Sequence, residues 1–130
     1  YLFRTEADLG DMLARGIGVR LVKGAYKESS SVAMPAKVDV DASYEALARQ
    51  MLGPEGRQHG ARLVFGTHDV GLITRILHHA RALGLAPDAC EIHMLYGIQR
   101  AEQVRLAREG AAVRVLIAYG EYWFPWYMRR

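Results

Sequence analysis

Apolar residues in this chain alternate between two textures, short continuous runs and longer stretches at helical spacing. The short runs are Val19-Arg20-Leu21-Val22, Arg62 to Gly66, Glu91 to Leu95 and Ala112 to Ala118. Runs of this length bounded by glycine and polar turns predict strands, and their near-continuous apolar character predicts burial on both faces of a parallel sheet. Between them, helical stripes appear. Leu9, Met12 and Leu13 follow the capping-box-like Thr5-Glu6-Ala7-Asp8 and end at Gly16 and Gly18. Tyr44, Leu47, Ala48, Met51 and Leu52 follow Ser43 and stop at Gly53-Pro54. Val70, Ile73, Ile76, Leu77, Ala80 and Leu83 make the clearest amphipathic stripe, closed by Gly84, and Ala101 to Glu109 predicts a helix ending at Gly110. Residues 27–42, with Ser29-Ser30-Ser31 and Pro35, read as a long polar connection, and Tyr119-Gly120 turns into an aromatic helix start at Trp123.

The order is one helix and then four strand–helix units, which implies parallel strands joined by right-handed crossovers. A doubly wound sheet and a (β/α)8 barrel both satisfy it. No Gly-x-Gly-x-x-Gly follows the first strand, which counts against a dinucleotide-binding Rossmann fold. Four units fill about half of a typical barrel of ~250 residues. The expected fold is therefore α/β, half of a (β/α)8 TIM barrel, with residues 1–130 forming a partial barrel domain. Four strands alone leave two open edges, so this segment is expected to fold poorly by itself. The start at Tyr1 without Met and the stop on Arg129-Arg130 also read as a piece of something longer.

Composition narrows the classes. About half of the residues are apolar and the formal net charge is +3, an ordinary globular balance. No apolar run approaches the roughly 18 residues of a membrane span, and no signal-peptide pattern opens the chain. Cys90 is alone, so an internal disulfide is excluded, and a small buried hydrophobe is its expected role. Basic residues sit on helices beside acids, as with Arg105, Arg108 and Glu109, and point to a solvated face rather than a nucleic-acid stripe.

The chemistry gathers where strands end. In the first strand, alternation sends Arg20, Val22 and Gly24 one way and Val19, Leu21 and Lys23 the other. A guanidinium on a buried sheet needs a carboxylate or an anionic ligand to meet it. Later ends offer Thr67, His68 and Asp69, then His93 and Tyr96, then Tyr119. Each has a plain structural role open to it. Thr67 with Asp69 can cap the following helix, His93 can be a satisfied core histidine, and Tyr26 and Tyr96 can pack at a rim. Four successive polar strand ends are harder to explain as core filling, because barrel enzymes collect their catalytic groups there. Arg129-Arg130 can fork a carboxylate or form a basic surface pair, and the aromatic run Tyr122 to Tyr127 can wall a flat ring, pack on the core or touch a membrane surface.

These residues resemble the proline dehydrogenase family. The matching strings are Tyr1-Leu2-Phe3-Arg4-Thr5, Val19 to Tyr26, Gly66-Thr67-His68-Asp69 and Met94-Leu95-Tyr96-Gly97. Val113 to Gly120 and Trp123 to Arg130 complete the series in the family's order. The resemblance implies the C-terminal half, strands 5–8, of an FAD-binding (β/α)8 barrel that oxidises L-proline to 1-pyrroline-5-carboxylate. Hydride would pass to flavin N5 in the first step of proline catabolism to glutamate, and electrons would leave to a quinone-type acceptor.

The resemblance also implies residue roles. Arg20 would lie at the flavin's reactive edge as the catalytic cation, with the backbone of Val22, Lys23 and Gly24 holding the cofactor. Thr67 and His68 would meet the flavin's phosphate or ribityl portion, and His93 would face the flavin. Leu95 and Trp126 would line the substrate pocket, and Arg129 and Arg130 would clamp the substrate carboxylate. The implied compartment is the cytoplasm, with peripheral contact at the inner membrane face as a further option. The chain departs from the family's usual Gln at His93, Tyr at Leu116, Pro at Ala118 and Tyr at Trp126.

Two other readings stay open at this stage. A metal-dependent barrel hydrolase could use His68, Asp69, Glu91 and His93, although their spacing matches no ligand signature. A non-catalytic relative could keep the fold and have lost the substrate tyrosines.

Overall fold

The computed structural model describes residues 1–24 and 28–128, with the backbone alone for Trp126 and Tyr127. The four apolar runs form β1 (Val19–Val22), β2 (Leu63–Gly66), β3 (Glu91–Leu95) and β4 (Ala112–Leu116). They make one parallel sheet in the order β1-β2-β3-β4. The order never reverses, so each strand lies beside its sequence neighbour. The intervening helices are α1 (Thr5–Ala14), α2 (Lys37–Leu52), α3 (Pro54–Gln58), α4 (Val70–Ala82) and α5 (Arg100–Arg108), and α6 (Trp123–Tyr127) follows β4.

Strand parity divides the sheet. Leu21, Leu63, Phe65, Ile92 and Met94 join Leu9, Leu13, Leu47, Met51, Leu72, Ile73, Ile76 and Leu106 in one apolar cluster. One face of the sheet is thus packed beneath α1, α2, α4 and α5. Residues of opposite parity, among them Arg20, Val22, Val64, Gly66, Glu91, His93 and Arg114, turn to the other face. Cys90 is buried just before β3, as its small apolar character implies.

Three helix starts differ from the sequence reading. Thr5 is already helical, and Arg4 occupies the N-cap without a side-chain cap bond. An ion pair from Arg4 Nε to Asp8 Oδ2 at 2.7 Å braces that first turn instead of a capping box. The second helix begins at Lys37 rather than after Ser43. Its first turns bury little, and an i,i+4 pair between Lys37 and Asp41 supports them, so no apolar stripe marks them. Gly53-Pro54 does stop α2, yet Pro54 also opens the one-and-a-half-turn α3, since proline's fixed φ suits a first helical position.

Gly56 makes that tight connection feasible. A Cβ built there would lie 1.9 Å from the Met51 carbonyl oxygen. Gly56→Ala in the full-length protein is therefore expected to lose about 1–3 kcal/mol of stability through overpacking. Phe65→Ala, which would empty a fully buried central-strand position, is expected to lose about 3–5 kcal/mol. Denaturant midpoints measure both, and an unchanged midpoint for either would contradict this packing.

Candidate active site

At β1, parity puts two cations in opposite environments. Lys23 turns to the helix side, where its ammonium meets Asp41 of α2 and donates to Asp69 Oδ2 at 2.9 Å. Burial pulls the Lys23 pKa down, but the hydrogen bonds to the two carboxylates outweigh it and leave the pKa raised. Asp69 is held below the usual carboxylate range by Lys23 first and then by the Leu72 amide. Asp41 is lowered by its hydrogen bonds to Lys23 and Lys37.

Arg20 turns to the other face. Among the described residues its guanidinium has no hydrogen-bond or ion-pair partner. It reaches across Gly66 on the neighbouring strand, where a Cβ would lie 3.4 Å from Arg20 Nη2 and 3.3 Å from Val22 Cγ2. Behind it, buried Tyr44 donates from its hydroxyl to the Leu21 carbonyl at 3.2 Å, fixing the β1 backbone from the helix side. Burial pushes the Tyr44 pKa up, so the phenol stays neutral and serves as a donor. Gly24 has φ +89°, and a Cβ there would lie 2.1 Å from Tyr1 Cδ1. In this structure the Tyr1 ring lies against that position.

The end of β2 is a compact polar turn. Buried Thr67 accepts from the Asp69 amide through Oγ1 at 3.1 Å, and Asp69 Oδ1 caps α4 by accepting from the Leu72 amide at 3.2 Å. The capping role open to Thr67 and Asp69 is therefore realised. His68 Nε2 accepts from the Leu95 amide at 2.9 Å, which ties the ends of β2 and β3 together. A ring nitrogen that accepts carries no proton, so neutral His68 has its proton on Nδ1.

On β3, Glu91 and His93 share the face of Arg20. Glu91 accepts from Arg62 Nε at 2.7 Å and Nη2 at 2.8 Å, from His93 Nε2 at 3.0 Å and from Arg114 Nε at 3.3 Å. The Arg62 hydrogen bonds first, and then the His93 bond, hold its pKa down at about 2. Leu95 is buried at the end of the strand. Its carbonyl accepts from Gln103 Nε2 at 2.9 Å, and the same amide reaches the Ile98 carbonyl at 2.7 Å. Leu116 lies opposite Leu95 in register and is half exposed.

The predicted residues thus fall into groups. Arg20, Val22 and His93 lie on one face around Gly66, and Thr67, His68 and Leu95 lie at the strand ends beside it. The Lys23 side chain is on the opposite face, which leaves only its backbone on the candidate side. Tyr26, the Trp126 side chain, Arg129 and Arg130 lie outside the described residues. The four groups of the hydrolase reading do not converge, because Asp69 faces Lys23 and the α4 cap while Glu91 and His93 face Arg62 and Arg114. Among the described residues no three His, Cys, Asp or Glu side chains are grouped to hold an ion.

Asp41, Arg62, Arg114 and Gln103 are the site-supporting residues that pattern reading missed. Arg62 and Arg114 carried a usable signal, since they share the inward parity of Glu91. Asp41 and Gln103 act across elements, and nothing in their local sequence marks it.

Glu91 gives a pH prediction. Its pKa is lower in the folded protein than the ordinary 4.5, so its network stabilises fully above about pH 4.5. That stabilisation is lost as pH falls from about 4.5 towards 2. Thermal melts of the full-length protein and its Glu91→Gln variant should differ near neutrality and converge as the pH falls below 4.5. A constant gap across that range would contradict the ion-pair origin.

Known proteins supply a frame for this geometry. The family model described as proline dehydrogenase matches residues 3–130. The chain is 42% identical over 130 residues to proline dehydrogenase 2 of Bacillus subtilis (strain 168), which covers 100% of this chain and 41% of that protein. It is 39% identical over 130 residues to the proline dehydrogenase of Deinococcus radiodurans, covering 100% of this chain and 40% of that protein. A crystal structure of proline utilization A from Bdellovibrio bacteriovorus inactivated by N-propargylglycine shares the fold, with a TM-score of 0.87 at 24% identity over 99% of this chain and 15% of that chain. The chain therefore spans about two fifths of the length of the curated relatives it matches.

Proposed function

The chain belongs to the proline dehydrogenase family, and from that premise we propose that it is the C-terminal half, strands 5–8, of a (β/α)8 barrel that oxidises L-proline with FAD. The unreversed strand order and the helices packed on one face support a barrel, since a doubly wound sheet carries a reversal and helices on both faces. The observation that carries the functional reading is Arg20, a guanidinium with no hydrogen-bond or ion-pair partner among the described residues, aimed across the Gly66 gap on the face opposite the helices.

That donor set fits a flavin. Arg20 supplies a fixed positive charge, Gly66 leaves a cradle that a Cβ would fill, and the β1 end offers the backbone of Val22, Lys23 and Gly24. When bound, FAD supplies the two-electron acceptor whose N5 takes hydride from the proline ring carbon next to nitrogen, giving 1-pyrroline-5-carboxylate. Arg20 then stabilises the negative charge that develops beside it, which is worth most where water is excluded. Thr67 and His68, already rigidified by their bonds to Asp69 and Leu95, present a polar strand end to the cofactor's ribityl or phosphate portion. Leu95 and Trp126 bound the substrate ring, Arg129 and Arg130 hold its carboxylate, and a quinone-type acceptor removes the electrons.

Arg20→Met in the full-length protein should slow flavin reduction at saturating proline by about 100-fold and change substrate affinity little, because it removes a charge that acts as the reaction proceeds. Stopped-flow reduction at the wild-type rate would refute the role. Arg129→Lys and Arg130→Lys should each weaken inhibition by a nitrogen-free ring carboxylic acid about tenfold or more, since an ammonium cannot reproduce the paired donors. Equal inhibition constants for wild type and both variants would remove the clamp.

A further inference from the structure

The charged cluster on the Arg20 face holds a group that the proposed chemistry leaves unused. Glu91 receives Arg62 through two nitrogens, Arg114 through Nε, and His93 through Nε2. With its pKa at about 2, Glu91 is an anion at any working pH and can only accept. The 3.0 Å contact therefore assigns a proton to His93 Nε2, and Nδ1 is the nitrogen left to gain or lose one.

The position of His93 gives that proton a purpose. His93 pairs in register with Gly66, the residue across which Arg20 Nη2 lies, so both side chains border the same gap. The charges on the face of the imidazole are Arg20 from β1, Arg62 from just before β2, Arg114 from β4 and Glu91 from its own strand. His68 is bonded to the Leu95 amide at the strand end, and Lys23 is paired on the opposite face. Negative charge arriving in the gap would favour a second proton on the imidazole.

We propose that Glu91 is a positioning residue that fixes the His93 imidazole with Nε2–H towards its carboxylate, so that Nδ1 takes up a proton when the neighbouring flavin is reduced. The inference rests on the flavin reading above. The balance is simple. The flavin gains two electrons and one proton, and His93 Nδ1 gains a second proton from solvent. The electrons come from the substrate, or from dithionite in a titration. Arg20 then supplies a constant charge and His93 a charge that appears only with reduction. The midpoint potential would therefore fall more steeply with pH, by one further proton per two electrons, which is about 30 mV per tenfold change in proton activity.

The test is a redox titration of the flavin bound to the full-length protein from about pH 5 to pH 8, in wild type, His93→Gln and Glu91→Gln. Glutamine at 93 can still donate to Glu91 but cannot take up a proton, and the flavin's own protonations are common to all three proteins. The expected result is a segment one proton steeper in wild type than in His93→Gln. In Glu91→Gln, where the carboxylate that orients the ring is gone, that steeper segment should be lost or displaced relative to wild type. Nitrogen-15 histidine spectra of the wild type, which need no variant to fold, should show the neutral His93 tautomer protonated on Nε2. Bound flavin with parallel potential–pH lines in wild type and His93→Gln would overturn the inference and leave the flavin reading standing, as would an Nδ1–H tautomer. Full-length protein that binds no flavin would overturn both.

Discussion

Side-chain parity along four parallel strands governs this structure, because helices cover one face of the sheet. A residue on a strand therefore enters either a dry apolar layer or the opposite face, with nothing between. Leu21, Phe65, Ile92 and Met94 take the first environment, and Arg20, Gly66 and His93 take the second. A one-residue slip of β1 would drive Arg20 into the cluster around Phe65, where an unmatched charge is costly. The apolar layer thus specifies the register, and the register aims the polar groups.

The two basic residues of β1 show the same constraint electrostatically. Lys23 comes under the helices and meets carboxylates from two different elements, Asp41 and Asp69, which offset its partial burial. One of those carboxylates, Asp69, also caps α4, so a single residue ties β1 to the turn that follows β2. Among the described residues Arg20 has no such match on its face. The asymmetry separates a cation that holds the sheet to its helices from one available to a ligand, three residues apart in sequence. On β3 a third arrangement appears, in which Glu91 gathers Arg62, His93 and Arg114 and orders the floor beside the gap.

Features encoded by period were legible in the sequence. All four strands, the α4 stripe and the opposite facing of Arg20 and Lys23 follow from alternation and 3.6-residue spacing, and the structure has them. The start of α2 was not legible, because Val38 is largely exposed there and the supporting contacts are ionic rather than apolar. Nor was α3, where a proline that ends one helix begins another. Within the site, the capping turn at Thr67 and Asp69 was readable because its bonds are local. The partners of Lys23, Glu91 and Leu95 were not, since each bond joins residues far apart in sequence whose meeting depends on the assembled sheet. The strings that resemble the proline dehydrogenase family identified the family without revealing those partners.

The division of the sheet into a packed face and a ligand face is tested most directly by a crystal structure of the full-length protein with flavin bound. The expected result has the isoalloxazine ring over Gly66, with the Arg20 guanidinium within hydrogen-bonding distance of it (about 3.2 Å or less). A flavin bound elsewhere, or Arg20 turned away into an ion pair with a carboxylate, would contradict the assignment of this face.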